Sequence, residues 1–121
     1  MDLKILCVDD SKSVHAFLKA CLSDVAQVIE SVFDGDQAIE FLKLNGSHFD
    51  VIFLDWEMPN KNGPETFEEF KKMGVKAPVI MLTSKNSLEN VNQMISAGIA
   101  EYIMKPFTKE ILIEKIKLVL E

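Results

Sequence analysis

The sequence predicts an α/β fold, a doubly wound parallel sheet of five strands with five helices. Three observations predict it. Five short apolar runs alternate with five stretches whose apolar residues recur at spacings of three and four, so strand and helix periods take turns along the chain. The third run, Val51 to Leu54, is apolar at every position, as a strand buried on both faces must be. Uninterrupted alternation also supplies the crossovers that parallel neighbours need, and these are right-handed almost without exception.

Each element has its own justification. Leu3 to Val8 (LKILCV) reads as the first strand, and Val14, Phe17, Leu18, Cys21 and Leu22 mark the helix after it. Gln27 to Ser31 is a weaker second strand. Asp34 with Gln37 three residues on resembles a capping box ahead of Ala38, Ile39, Phe41 and Leu42. After Val51 to Leu54, Gly63 and Pro64 suit a helix start, because proline at the first helical position gives up an N–H that had no partner. That helix should run through Thr66, Phe67 and Phe70 to about Lys72 and stop near Gly74. Pro78 to Leu82 is the fourth strand. Asn86 and Glu89 have capping-box spacing before Val91, Met94, Ile95 and Ala97, with Gly98 as the stop. Glu101 to Met104 is the fifth strand, and the last helix opens at Thr108, with Phe107 and Leu112 at the positions of a hydrophobic staple.

Length and composition narrow the function classes. The 121 residues suit one domain, 1–121, with a single sizeable core, and the apolar content of 48% agrees with a globular class. Thirteen basic against nineteen acidic residues leave a formal charge of −6, and apart from Lys71, Lys72 and Lys76 the lysines are scattered, which disfavours direct nucleic-acid binding. No run approaches the eighteen or so apolar residues of a membrane helix and no leader pattern opens the chain, so a cytoplasmic protein without membrane contact is expected. Cys7 and Cys21 lack partners at metal or redox spacing and read as reduced core thiols. His15 is expected on the exposed side of the first helix and His48 in a loop, neither as a base nor as a ligand.

In open α/β sheets ligands bind outside the carboxyl ends of the strands. Strand one ends in Asp9 and Asp10, strand three in Asp55, strand four in Thr83 and Ser84, and strand five in Lys105 and Pro106. Singly, each has an ordinary reading as a cap, turn residue or solvated lysine. Together at one rim they form a site. Three neighbouring carboxylates resist simultaneous ionisation, so either a proton or a cation must be present. Oxygen ligands favour Mg2+, with Mn2+ as the alternative. Beside a metal-bound phosphoryl group Asp55 becomes a nucleophile, with Lys105 as a point charge and Thr83 as a hydrogen-bond donor.

As a set, these residues resemble the receiver domain of two-component response regulators. The resemblance covers essentially the whole chain and rests on Asp9 and Asp10, Asp55 within LDWEMP, Gly63, Thr83 with the small Ser84, Tyr102, and Lys105 with Pro106. It implies a flavodoxin-like strand order of 2-1-3-4-5 and a stand-alone, chemotaxis-regulator-like phosphorelay switch rather than an enzyme. Asp55 would accept phosphoryl from a histidine kinase or phosphotransfer protein. Asp10, Asp55 and the backbone carbonyl of Glu57 would hold the metal, with Asp9 acting through water. The Lys105–Pro106 bond would be cis. Thr83 and Tyr102 would switch the surface of the fourth helix, fifth strand and fifth helix toward a downstream protein target. Lys61, Trp56 and Ser84 depart from the family's commonest residues without removing a chemical group. Glu57 and Lys85 are expected to pair across the site's mouth and limit water access.

Other classes fit less well. An aspartate-nucleophile phosphatase needs a general-acid carboxylate two residues after the nucleophile, where Glu57 stands, and normally an inserted cap that has no counterpart here. A flavin or dinucleotide binder needs a Gly-rich loop after the first strand, where Asp9, Asp10 and Ser11 lie. A receiver fold serving only as an interaction module would have no use for the full polar set.

Overall fold

The computed structural model describes residues 2–46, 48–84 and 88–121. Strands β1 (Leu3–Val8), β2 (Ala26–Val32), β3 (Val51–Asp55), β4 (Val79–Thr83) and β5 (Glu101–Met104) alternate with helices α1 (Lys12–Leu22), α2 (Gly35–Asn45), α3 (Gly63–Lys72), α4 (Leu88–Ala97) and α5 (Lys109–Leu120). The sheet order is β2-β1-β3-β4-β5 and every pairing is parallel. Side chains on a strand point to alternate faces, and the core divides accordingly. Leu6, Val8, Ile52, Leu54 and Met81 face one way, with Leu42 of α2, Phe67 and Phe70 of α3 and Met94 of α4. Ile5, Cys7, Phe53, Ile80 and Leu82 face the other, against Leu18 and Leu22 of α1 and Leu112 and Ile116 of α5. Burial pushes the Cys7 thiol from its ordinary 9.0 up to about 12, so it stays protonated and unreactive at neutral pH.

Local signals set most boundaries. Asp34 accepts from the Gln37 amide at the start of α2, while the Gln37 side chain accepts from the Phe33 amide, one residue before the position a capping box would use. Thr108 caps α5, and Phe107 packs with buried Leu112 as a staple should. Asn86, expected to cap α4, lies outside the described residues, as does Lys85.

One expectation for α1 is corrected. His15 is buried, at 4% exposure, whereas Phe17 is 44% exposed. The inward face of α1 is His15, Leu18, Cys21 and Leu22, a stripe at three- and four-residue spacing in which the imidazole takes an interior place. Phe17 lies at the margin of that stripe, its ring 5.6 Å from that of Phe107.

Candidate functional site

The register delivers the polar residues to one rim. Val8 pairs with Leu54, so the residues that follow, Asp9 and Asp55, leave adjacent strands side by side. Asp55 pairs with Leu82, which places Thr83 one step beyond, and Thr83 pairs with Met104, which Lys105 follows. The β1/β3 junction is where the strand order reverses, the usual position of a ligand crevice in such sheets.

Asp9, Asp10 and Asp55 each present a carboxylate oxygen, all within 4.8 Å of one another. Asp9 is fully buried and Asp55 is 5% exposed, while Asp10 faces solvent. The Lys105 ammonium donates to Asp9 Oδ2 at 2.9 Å and to Asp55 Oδ1 at 3.1 Å. Asp9 is held on every side: its amide donates to the Val32 carbonyl, its Oδ1 accepts from the Ser11 amide at 2.8 Å, and its carbonyl accepts from His15 Nε2 at 2.7 Å.

These surroundings perturb the ionisation of Asp55. Burial pushes its carboxyl from 3.8 up to about 6; Asp9 pushes the same way, Lys105 opposes, and Asp10 adds a further rise. For Lys105, burial pulls the ammonium down, but the bonds to Asp9 and Asp55 and their charges outweigh it and the net shift is upward. One cation thus spans two of three carboxylates, and the Asp55 oxygen not bonded to it retains acceptor capacity.

The loop after Asp55 is a closed turn. The Trp56 amide donates to the Leu82 carbonyl and the Gly63 amide to the Trp56 carbonyl at 2.7 Å. Asn60 takes a left-handed φ of 70°, a conformation asparagine tolerates better than most residues. Asn62 and Glu65 cap α3 reciprocally. A Cβ on Gly63 would lie 2.4 Å from the Asp55 carbonyl oxygen, so this backbone approach requires glycine.

Thr83 is buried at the rim, at 1% exposure, and the Lys105–Pro106 bond is cis. Tyr102 is half-buried on β5, with the Lys115 ammonium 5.5 Å from its ring centroid. Glu57 is exposed beside the rim, and its expected partner Lys85 is not among the described residues. A groove of about 500 Å³, lined chiefly by Val14, Phe17, Pro106 and Phe107, opens beside Lys105.

The donor set fits a hard divalent cation: three carboxylate oxygens close together, two of them shielded from water, suit Mg2+ or Mn2+. Residues 5–117 match the family model described as the response regulator receiver domain. The chain belongs to this family. Receivers with an acidic site of this kind are typically phosphoacceptor switches rather than enzymes, and a histidine kinase is the partner such a domain implies. The chain is 30% identical over 116 residues to the transcriptional regulatory protein DltR of Streptococcus agalactiae, a match covering 96% of the chain and 51% of DltR. It thus spans about half the length of that relative. Chemotaxis protein CheY1 of Helicobacter pylori is 31% identical over 122 residues, covering 98% of this chain and 97% of that protein. The solved structure of chemotaxis protein CheY4 of Vibrio cholerae superposes with a TM-score of 0.88 at 30% identity, covering 99% of this receiver and 100% of that chain. Among the described residues, no helix of this receiver is long and apolar enough to cross a membrane.

Sequence reasoning singled out Asp9, Asp10, Asp55, Thr83 and Lys105, and all five stand at the same rim. It missed two supports. His15 holds the Asp9 carbonyl, and its three- and seven-residue separation from Leu18 and Leu22 was the available signal. Asn62 and Glu65 anchor the loop, and their spacing of three was the signal there.

Proposed function

We propose that this receiver takes a phosphoryl group on Asp55 from the phosphohistidine of a kinase or phosphotransfer protein and relays it as a change in its α4-β5-α5 surface toward a protein target. The observation that carries this reading is the convergence of three carboxylate oxygens within 4.8 Å, with the Lys105 ammonium bridging Asp9 and Asp55. Asp10, Asp55 and the Glu57 carbonyl would hold Mg2+, with Asp9 acting through water. When bound, the ion neutralises phosphoryl oxygens and the negative charge of the rim. An Asp55 oxygen attacks phosphorus, the P–N bond to imidazole breaks, and the imidazole leaves with the electron pair. Lys105 meets an oxygen of the transferred group, and Thr83, one strand away, donates a hydroxyl to another.

The apolar groove beside Lys105 supports the donor side, because Phe17 and Phe107 offer a surface for a donor's apolar face next to the reacting atom. On the output side, Tyr102 turning inward would release Lys115 from its ring and reshape the α5 margin. Inverting a conformer ratio from 1:99 to 99:1 takes about 5.5 kcal/mol, and charge-assisted bonds from Thr83 and Lys105 supply about 1.5–3 kcal/mol each, together below that figure over most of the range, so a large but incomplete shift is expected.

Incubation with acetyl phosphate and Mg2+, followed by intact mass measurement, should show a gain of one phosphoryl group. That gain should vanish in Asp55→Asn and in the presence of a chelator. Sustained turnover of a phosphate ester would instead make the protein a phosphatase, and an unchanged mass would leave it an inert module.

A further inference from the structure

His15 is a buried polar side chain that the chemistry above does not use. Its ring sits 4.6 Å from that of Phe33, and its Nε2 lies 2.7 Å from the Asp9 carbonyl oxygen. A carbonyl can only accept, so Nε2 carries the proton. The other ring nitrogen, Nδ1, meets no hydrogen-bond partner among the described residues. Burying an unsatisfied nitrogen is unfavourable, and a phenylalanine in the same space would avoid it. The contact that separates histidine from phenylalanine here is the bond to Asp9.

We propose that His15 is a positioning residue for the metal site: by holding the Asp9 carbonyl it fixes the peptide plane joining Asp9 to Asp10, and so aims the Asp10 carboxylate at the ion. The inference rests on the reading of this rim as a Mg2+ site. Asp10 is the exposed member of the acidic trio, and the anchored backbone before it sets where its carboxylate stands. The Asp9 side chain is separately held by Ser11 and Lys105, so loss of the His15 bond acts on the peptide plane and leaves the Asp9 carboxylate in place. Phe33 extends the support: its amide bonds to Gln37, tying the imidazole's neighbour to the start of α2.

The test is Mg2+ titration followed by the fluorescence of Trp56, the one tryptophan in the chain and the neighbour of Asp55. His15→Phe keeps the ring contact with Phe33 and removes the donor. It should weaken Mg2+ binding about tenfold, within the range for losing a residue that orients a metal ligand. His15→Gln places an amide nitrogen where Nε2 stands and should restore affinity to within about threefold of wild type. His15→Asn has its nitrogen at the Nδ1 position, short of the carbonyl, and should behave like H15F, which keeps the test available should H15F not fold. At saturating Mg2+ all three should take up phosphoryl from acetyl phosphate at nearly the wild-type rate, an outcome that general loosening of α1 would not give. Equal Mg2+ affinity in H15F or H15N and wild type, or an H15Q as weak as H15N, would overturn the positioning role while leaving the metal site intact. A wild-type protein with no Mg2+ response would overturn the metal site itself and the positioning role with it.

Discussion

Gly63→Ala is expected to cost about 3 kcal/mol of stability, at the upper end for overpacking, and to weaken Mg2+ binding 10- to 100-fold, roughly the range for disturbing residues that hold metal ligands. The added methyl would meet the Asp55 carbonyl oxygen at 2.4 Å and the Trp56 Cα at 2.9 Å, both backbone atoms of the segment that presents the acceptor. Neither can retreat as a flexible side chain would. The Gly63 amide also closes the loop onto the Trp56 carbonyl, so any relief of the clash stretches that bond and moves Asp55. Gly74→Ala is the matched control. Gly74 has a left-handed φ of 77° but nothing within 4 Å of its would-be Cβ, so only backbone strain of about 1 kcal/mol is expected and Mg2+ affinity should not change. Thermal melts with and without Mg2+ check both, and a fall of about 10 °C for G63A is the expected scale. A G63A that melts and binds metal like G74A would show that the loop is not held as described.

Lys105→Met should separate metal binding from chemistry. The variant keeps the unbranched stem, one atom shorter, and removes the charge that meets Asp9 at 2.9 Å and Asp55 at 3.1 Å. In the metal-free protein this leaves buried carboxylates without their cation, a loss of about 3 kcal/mol at pH 8. The pH dependence has a definite sign. Asp55 titrates near 6 when folded against an ordinary 3.8, so the folded state binds the extra proton. Its contribution to stability is fully present below about 3.8 and is lost as pH rises through about 6. Lys105 lowers that folded value, so K105M carries the decline further into the neutral range, and its deficit against wild type should narrow toward pH 4. Mg2+ should bind K105M more tightly, because the Lys105 ammonium bonds two of the three carboxylates that would hold the ion, and like charges a few ångströms apart repel by roughly 1–2 kcal/mol for a divalent cation even at the dielectric of water, about tenfold in affinity. Phosphoryl uptake from acetyl phosphate should nevertheless slow about 100-fold, the usual effect of removing one preorganised charge from a developing transition state. Denaturation at pH 4 and 8, Mg2+ titration and single-turnover phosphorylation check these effects. Weaker Mg2+ binding by K105M would contradict the placement of the ion at this rim.

The fold was legible because its signals are local and agree with one another. The all-apolar Val51 to Leu54, the caps at Asp34 and Thr108, and the glycines that end α3 and α4 each act over a few residues, and parallel strands leave little choice of connection. The candidate site was legible for a related reason: strand exits are countable from sequence, and in a parallel sheet all exits share one edge. What residue type concealed was the face of α1. Counting apolar residues put Phe17 inward and His15 outward, whereas the helix turns His15 into the core, where a backbone carbonyl satisfies one of its nitrogens. Hydrophobicity alone cannot find such a residue, because its burial is offset by a hydrogen bond to a chain segment outside the helix. The loop from Trp56 to Asn62 was also opaque in detail: the close approach at Gly63 is set by tertiary contacts with β3 and β4, and the left-handed Asn60 lies in a tight turn that the Lys61 amide closes on the Pro59 carbonyl.

A crystal grown with Mg2+ and beryllofluoride, a mimic of the phosphoryl group, tests the function of this rim most directly. Expected is an ion held by Asp10, Asp55 and the Glu57 carbonyl, with beryllium joined to the Asp55 oxygen and Lys105 and Thr83 drawn onto its fluorides. An empty rim under those conditions, with Asp10 and Asp55 turned apart into solvent, would contradict it.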